Sequence, residues 1–249
     1  MLELAPAGVE EVEGAGFVEY AVYGAPGELP ELPYGPAEVG GVTVEIRGTE
    51  VPADFDERWK RFHGPVLVGG RLYVRPPWAE PAVRPGVHEI VIDPGQAFGT
   101  GSHPTTRMCL ELMLEGETRG AFADLGCGSG ILAIAASKLG FDPVTALDAD
   151  RAAVETTARN ASVNRAPLAG VRRANLREEP PPPADVIAAN LARPLLLRVA
   201  ELTEDAPGRL IASGLLVEEA DEVAAAFHPL EERRRLIDRG WSALLLSAP

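Results

Sequence analysis

Two acids and a set of glycines lie in the middle of the chain at a spacing that could bind a nucleoside. Asp124 ends a short apolar run, and three glycines follow it at alternate positions: Gly126, Gly128 and Gly130. A helix-forming run at 131–139 and a second apolar run at 144–147 then lead to Asp148. Strand, glycine turn, helix, strand and acid build a nucleotide-type pocket at the carboxyl ends of parallel strands. Glycines let the backbone approach a ligand closely, and the second acid can accept hydrogen bonds from both hydroxyls of a ribose.

The glycine spacing separates two classes of cofactor. A dinucleotide site needs G-x-G-x-x-G, because its third glycine packs the helix on the strand beside a pyrophosphate. Here Ile131 occupies the place of the third glycine, and the second acid, Asp148, lies 18 positions after Gly130. The pattern D-x-G-x-G-x-G with this acid resembles the class I S-adenosylmethionine methyltransferases, whose cofactor these glycines and acids would contact. The alternative is a glycine-rich turn of another doubly wound fold, in which both acids are accidental.

A second informative stretch, HEIVIDPGQAFGTGSHPTTRMCLELML, covers residues 88–114. A strand, a loop and then a helix from Thr105 or Thr106 to Leu114 are expected here. The N-terminus of such a helix presents free N–H groups and a partial positive charge, which suits the carboxylate of a methionine-type cofactor. Thr105 or Thr106 could instead act only as the N-cap. The loop residue His103 is either a structural hydrogen-bonding group or a general base, a role that water could also fill.

Several motifs together make the chain similar to the PrmA family, bacterial methyltransferases of the large-subunit ribosomal protein numbered eleven. These motifs are IDPGQAFGTGSHPTT, DLGCGSGILAIAA, the acid after the second strand and a later ANL. The resemblance covers about residues 52–249 and is weaker before them. It implies S-adenosylmethionine contacts at four positions: Thr106, Gly126, Asp148 and Asn190. It also implies a loop that closes over the cofactor and includes Phe98, Gly99 and Thr100. The family has proline where this chain has Arg151.

Asn190 ends the predicted fourth strand, residues 185–191. The resemblance places the end of that strand beside the methyl group, so Asn190 is the main candidate for a catalytic residue, with His103 as the second. An asparagine at a strand end can also be a turn residue. The sequence after Asn190 differs from the N-P-P-[YF] signature of enzymes that methylate glutamine or nucleobases, which disfavours those substrates.

These elements predict an α/β fold: a doubly wound, seven-stranded, Rossmann-like class I methyltransferase domain with a small N-terminal α+β module. The expected divisions are a substrate-recognition module at 1–50, a linker helix and strand at 51–80, and the methyltransferase domain at 81–249. The module is short relative to the family. Within the large domain we expect a fifth strand at 209–213, a helix at 217–227 and a final antiparallel pair at 231–238 and 241–247.

The composition limits the partners. The formal net charge of −14 disfavours binding to nucleic-acid phosphates. It would suit a basic ribosomal protein as substrate, or it could simply keep the protein soluble. The two cysteines and four scattered histidines form no metal-ligand pattern, so no metal is expected. The N-terminus lacks the features of a signal peptide, and no apolar run is long enough to span a membrane. We therefore expect a cytoplasmic monomer.

Three functions remain open at this stage. The first is methylation of lysine side chains or of the N-terminal amine of the ribosomal protein. The second is methylation of another protein or of a small amine by a relative of the same family. The third is a cofactor-binding module that does not catalyse. The loop, the glycine turn and Asn190 favour the two enzymes, and the N-terminal module decides between them.

Overall fold

A seven-stranded sheet organises the larger part of the chain. In the computed structural model its strands are β8 (Phe122–Leu125), β9 (Val144–Asp148), β10 (Gly170–Arg173), β11 (Val186–Asn190), β12 (Arg209–Leu216), β13 (Glu231–Asp238) and β14 (Trp241–Ser247). Their order is β10-β9-β8-β11-β12-β14-β13, with β14 antiparallel to both of its neighbours and β8 to β12 parallel. The central strands are short apolar runs because helices cover both of their faces. The predicted doubly wound, seven-stranded fold and its closing antiparallel pair are confirmed.

Five α-helices pack on this sheet within the described residues. They are α1 (Pro104–Met113), α2 (Ile131–Lys138), α3 (Arg151–Asn164), α4 (Arg193–Leu202) and α5 (Ala220–Ala226). One core lies between one face of the sheet and helices that include α1 and α2, and a second core lies between the other face and helices α4 and α5. None of the helices in the described part of the chain is long and apolar enough to cross a membrane.

The structure describes residues 10–14, 17–21, 35–39, 42–47, 64–82, 84–93, 101, 103–116 and 120–249. Contacts divide the chain into two units, residues 1–62 and 63–249. The helix of the expected 51–80 linker, which the sequence pattern places at 52–63, lies outside the described residues, as do the loop residues Phe98, Gly99 and Thr100. The proposed roles of these segments therefore stay predictions.

The described residues of the smaller unit form two antiparallel hairpins. The strands are β1 (Glu10–Gly14), β2 (Phe17–Ala21), β3 (Gly35–Val39) and β4 (Val42–Ile46), and β1 pairs with β2 and β3 with β4. Sequence patterns indicate β2 and β4, which are rich in branched and aromatic residues, but not β1 and β3. Glutamate, glycine and proline have low strand propensity, so β1 and β3 depend on pairing with their partners.

The larger unit also includes a three-stranded sheet before α1. It consists of β5 (Val66–Val68), β6 (Leu72–Arg75) and β7 (His88–Val91), with β6 in the centre. Buried residues of this sheet, such as Leu72 and Ile90, join the core that contains α1 and α2. The unit therefore begins at residue 63, earlier than the boundary at 81 that the sequence suggests.

Near the carboxyl end of β12, one predicted strand end is wrong and the first turn of one predicted helix is of a different type. The strand does not stop at Ser213 but continues to Leu216 through a bulge at Gly214, where the pairing register with β14 shifts. Gly214 has φ +85, a conformation that glycine adopts without strain. The expected helix at 217–227 is a 3-10 turn, Val217–Glu219, followed by α5. A carboxylate oxygen of Glu219 accepts a hydrogen bond from the N–H of Leu216, which holds the tight turn.

Candidate active site at the carboxyl edge of the sheet

A cavity of about 270 Å³ lies at the carboxyl ends of β8, β9, β10 and β11. Polar side chains from four separate elements reach it: Thr106 of α1, Asp124 of β8, Asp148 of β9 and Asn190 of β11. Parallel strands bring the two acids and Asn190 to one edge of the sheet, and α1 adds Thr106, although the four residues span more than eighty positions of sequence. The remaining lining residues are Gly126, Cys127, Gly128, Ile131, Leu132, Ala149, Asn175, Leu176, Arg177, Leu191 and Leu195.

The glycine turn between β8 and α2 forms one wall of this cavity. All three predicted glycines adopt positive φ, with values of +72 at Gly126, +51 at Gly128 and +83 at Gly130. A Cβ on Gly126 would lie 2.3 Å from Cδ2 of Leu191, and a Cβ on Gly130 would lie 2.8 Å from Cγ2 of Thr157. The turn therefore requires glycine for its backbone conformation, and at Gly130 also for the close approach of Thr157.

Asp124 is a buried acid with an unsatisfied oxygen. Its side chain is 1% exposed, and Oδ2 accepts a hydrogen bond of 3.0 Å from the N–H of Ala133 in the first turn of α2. Among the residues that the structure describes, none makes a hydrogen bond to Oδ1. Burial raises the pKa of Asp124 to about 7, the Ala133 hydrogen bond opposes this rise, and the charge of Asp148 adds to it. A cationic or donor group of a ligand would satisfy this buried oxygen.

Asp148 holds the turn while keeping acceptor capacity. Its Oδ2 accepts from the N–H of Gly128 at 2.9 Å, and its Oδ1 accepts from the N–H of Asp150 at 2.9 Å. A carboxylate has about four acceptor positions, so both oxygens can accept a further hydrogen bond. These acceptor oxygens fit a ribose diol, whose two hydroxyl groups can donate to them.

Asn190 and Thr106 meet across the cavity from Asp148. The Nδ2 group of Asn190 donates to Oγ1 of Thr106 at 3.4 Å, and this contact joins β11 to α1. The next residue, Leu191, donates its N–H to the carbonyl of Ser213 at 2.9 Å. At the bulge, a Cβ on Gly214 would lie 2.6 Å from the Leu191 carbonyl oxygen. The strand-end loop that carries Asn190 is thus packed directly on the backbone of β12.

His103 immediately precedes α1 and is absent from the residues that line this cavity. It is the N-cap of the helix, because its Nδ1 accepts from the N–H of Thr105 at 3.4 Å and lies 2.8 Å from Oγ1 of Thr105. The predicted N-caps, Thr105 and Thr106, are wrong: both are 1% exposed inside the first turn, which Pro104 begins. The ring of His103 packs edge-on against Trp241 at 5.3 Å, and burial lowers its pKa.

Sequence reasoning missed several residues of the site. Asn175, Leu176 and Arg177 line the cavity just beyond β10, and Leu191 covers Gly126. Their place in the sequence could have indicated them. Each lies just after the carboxyl end of a parallel strand, and binding sites of such sheets lie at that edge. Cys127, inside the glycine turn, also lines the cavity, and burial raises the pKa of its thiol so that it stays protonated.

Comparisons with known proteins agree with this geometry. The family described as "Ribosomal protein L11 methyltransferase (PrmA)" matches residues 39–248. A ribosomal protein L11 methyltransferase of Caldanaerobacter subterraneus subsp. tengcongensis is 36% identical over 217 residues, which cover 84% of this chain and 69% of that protein. One of Burkholderia multivorans is 35% identical over 248 residues, which cover 88% of this chain and 81% of the relative.

A solved structure shows the same fold. The crystal structure of a ribosomal protein L11 methylase from Lactobacillus delbrueckii subsp. bulgaricus superposes with a TM-score of 0.62 at 25% identity. The alignment covers 74% of this chain and 97% of that one. Family match, fold and site agree, and we conclude that this chain belongs to the PrmA family and is an S-adenosylmethionine-dependent methyltransferase of the class I fold.

Proposed function

We propose that this enzyme methylates amino groups of ribosomal protein L11, on lysine side chains, on the N-terminal amine or on both. The observation that carries the proposal is the convergence of Thr106, Asp124, Asp148 and Asn190 on one cavity at the carboxyl edge of the sheet. The relatives named above supply the substrate class. We further propose that the chain acts as a cytoplasmic monomer and binds the ribosomal protein rather than nucleic acid.

The residues of the cavity fit S-adenosylmethionine, which supplies a sulfonium-activated methyl group when bound. We assign Asp148 to the ribose hydroxyls because both of its oxygens retain acceptor capacity. We propose that Oδ1 of Asp124, which is unsatisfied among the described residues, accepts a hydrogen bond from a cationic or N–H group of the cofactor. Gly126 and Gly128 provide close backbone contact, Gly130 starts α2, and Phe98, Gly99 and Thr100 form the covering loop predicted from the sequence.

Asn190 is proposed to orient the acceptor amine. Its Nδ2 group donates to Thr106, so the amide is fixed with Oδ1 as its remaining acceptor. An amine nitrogen that donates to Oδ1 has its lone pair held in a defined direction, which is the positioning that a displacement reaction needs. The amine must be neutral to attack, and removal from water lowers the pKa of a lysine toward that state. His103 is the second catalytic group proposed from the sequence. It caps α1 and does not line the cavity, so water is the alternative base.

The smaller unit is proposed to recognise the protein substrate. The formal net charge of −14 would attract a basic ribosomal protein and accelerate its association. The described residues of this unit form two hairpins.

A transfer assay tests the proposal. The purified protein is incubated with methyl-labelled S-adenosylmethionine and ribosomal protein L11, free and in ribosomes, and mass spectrometry locates the modified residues. Methylated lysines or a methylated α-amine, absent with Asp148→Ala, are expected. Cofactor binding without transfer to this protein would contradict the proposed substrate and leave another protein, a small amine or a non-catalytic role.

A further inference from the structure

Helix α3 buries three polar side chains on one face. Thr157, Asn160 and Asn164 are 0%, 4% and 7% exposed, and their spacing of three and four residues places them on the same side of the helix. Buried polar groups are hydrogen-bonded in native proteins, so their partners show what the helix face holds.

Two of the three side chains hold the glycine turn. Oγ1 of Thr157 lies 3.0 Å from the carbonyl oxygen of Gly128, and Nδ2 of Asn160 donates to the carbonyl oxygen of Ser129 at 2.8 Å. These carbonyls belong to consecutive residues. Because the C=O and N–H of a trans peptide point in opposite directions, anchoring both carbonyls fixes the orientation of both peptide planes in the turn.

The hydroxyl of Thr157 has a second neighbour, Sγ of Cys127, at 3.2 Å. A hydroxyl carries one proton, and the carbonyl of Gly128 is the stronger acceptor, so that proton belongs in the bond to the turn. Thr157 also packs against the turn, since its Cγ2 would lie 2.8 Å from a Cβ on Gly130. One face of the turn thus lines the cavity while α3 supports the other.

Asn164, the third side chain, also bonds to backbone groups, but at the end of β7 and not in the glycine turn. Its Oδ1 accepts from the N–H of Val91 at 2.8 Å, and its Nδ2 donates to the Val91 carbonyl at 2.6 Å and to the Asn160 carbonyl at 2.8 Å. The amide therefore caps the end of β7, and the partners of its side chain are Val91 and Asn160 rather than the glycine turn. Asn164 is a matched control for the other two: buried, polar, on the same helix and fully bonded.

We propose that Thr157 and Asn160 are positioning residues for the cofactor, because they fix the two peptide planes of the glycine turn that forms its binding wall. This inference rests on the proposed assignment of the cavity to S-adenosylmethionine. Removal of either donor takes away a hydrogen bond that holds a carbonyl of the turn, and the peptide plane then relaxes. We expect the cofactor Kd to rise about 5- to 50-fold, with a smaller effect on kcat.

The test uses the full chain and four variants. Thr157→Val keeps the side-chain shape and removes the hydroxyl, and Thr157→Ser keeps the hydroxyl. Asn160→Leu removes the second donor, and Asn164→Leu is the control. Calorimetry measures the Kd of S-adenosylmethionine, hydrogen exchange measures protection of the amides of 127–130 without cofactor, and thermal unfolding measures stability.

The expected pattern separates positioning from stability. Thr157→Val and Asn160→Leu should raise Kd and speed exchange in the turn, Thr157→Ser should restore both toward the parent values, and Asn164→Leu should lower the unfolding temperature without changing Kd. An unchanged Kd in Thr157→Val overturns the inference, as does an equal rise in Asn164→Leu. If Asn160→Leu does not fold, the two Thr157 variants decide the matter. Failure of the parent protein to bind cofactor overturns the proposed site itself, and this inference with it.

Discussion

Neutralising Asp124 should stabilise the protein without cofactor and weaken its binding of cofactor. The carboxyl group is 1% exposed, and within the described part of the chain it has one hydrogen bond, from Ala133, and one oxygen without a partner. Asp124→Asn preserves the size of the side chain and an oxygen for the Ala133 N–H while it removes the charge. An ionised carboxylate with so little solvation is unfavourable in the folded state, so the neutral variant should gain stability wherever the parent is ionised.

The magnitude follows from the pKa of the buried group. Burial raises the pKa of Asp124 from 3.8 to about 7. At 1.36 kcal/mol per pKa unit, this rise corresponds to about 4 kcal/mol. The pKa of Asp124 is higher in the folded protein, so between pH 3.8 and about 7 the folded state binds one more proton than the unfolded state. The free energy of unfolding therefore falls as the pH rises from about 4 through about 7. The advantage of Asp124→Asn should therefore grow from near zero at about pH 4 to about 4 kcal/mol above about pH 8.

The same substitution should weaken the binding of the cofactor. A hydrogen bond to a charged group contributes about 1.5–3 kcal/mol, so loss of the carboxylate should weaken binding of S-adenosylmethionine about 10- to 100-fold above about pH 8. Below about pH 6 the parent carboxyl is protonated as well, and the difference between the two proteins should shrink. Any titration of the cofactor itself affects binding to the parent and to the variant equally. The difference in Kd between the two proteins therefore reports on Asp124 alone.

Urea unfolding and calorimetric titration from pH 5 to pH 9 measure both effects. Asp205→Asn, at an exposed acid away from the cavity, serves as the control and should change neither quantity. The reasoning is refuted if Asp124→Asn is no more stable than the parent at pH 8, or if the difference in cofactor affinity does not depend on pH.

Three further predictions concern the bulge, the catalytic amide and the charge of the protein. Gly214→Ala places a Cβ 2.6 Å from the Leu191 carbonyl at φ +85, and should lower the unfolding free energy in urea by about 2–5 kcal/mol. Gly240→Ala, at φ +80 in open space, should cost about 1–2 kcal/mol, and equal losses in the two variants would exclude a role for the Leu191 contact. Asn190→Ala should slow single-turnover methyl transfer about 100-fold by releasing the acceptor amine, and a rate within twofold of the parent would argue against its assignment. Added salt should lower kcat/KM for the basic ribosomal protein, because screening weakens its attraction to a chain of charge −14, whereas a neutral peptide substrate should be unaffected. Turnover on the ribosomal protein that ignores salt would contradict charge steering.

Local sequence patterns were sufficient to predict those site residues that one short segment of the chain positions by itself. The glycine turn and its two acids, Asp124 and Asp148, were predictable because one strand–turn–helix–strand unit places them, and their spacing is fixed by that unit. The seven-stranded sheet followed from alternating strand and helix patterns and from the final hairpin. Asn190 was predictable because it ends a buried apolar strand of the same sheet.

Contacts that depend on the order of the strands could not be read from the sequence. The approach of Gly214 to Leu191 requires that β12 lie beside β11, and the bulge that extends β12 has no clear local signal. The N-cap of α1 was misassigned because threonine is a common N-cap, whereas here Pro104 starts the helix and His103 precedes it. The bond from Asn160 to the glycine turn likewise needs the packing of α3 on that turn.

Binding of S-adenosylmethionine to the purified protein and to Asp148→Ala tests the central claim most directly, namely that the cavity at the carboxyl edge of the sheet is the cofactor site. Calorimetry should show one cofactor bound per chain, with binding weakened about 10- to 100-fold in Asp148→Ala through loss of charge-assisted hydrogen bonds. Glu155→Ala, at an exposed acid on α3, should bind as the parent does. No binding by the parent, or unchanged binding by a folded Asp148→Ala protein, would contradict the account.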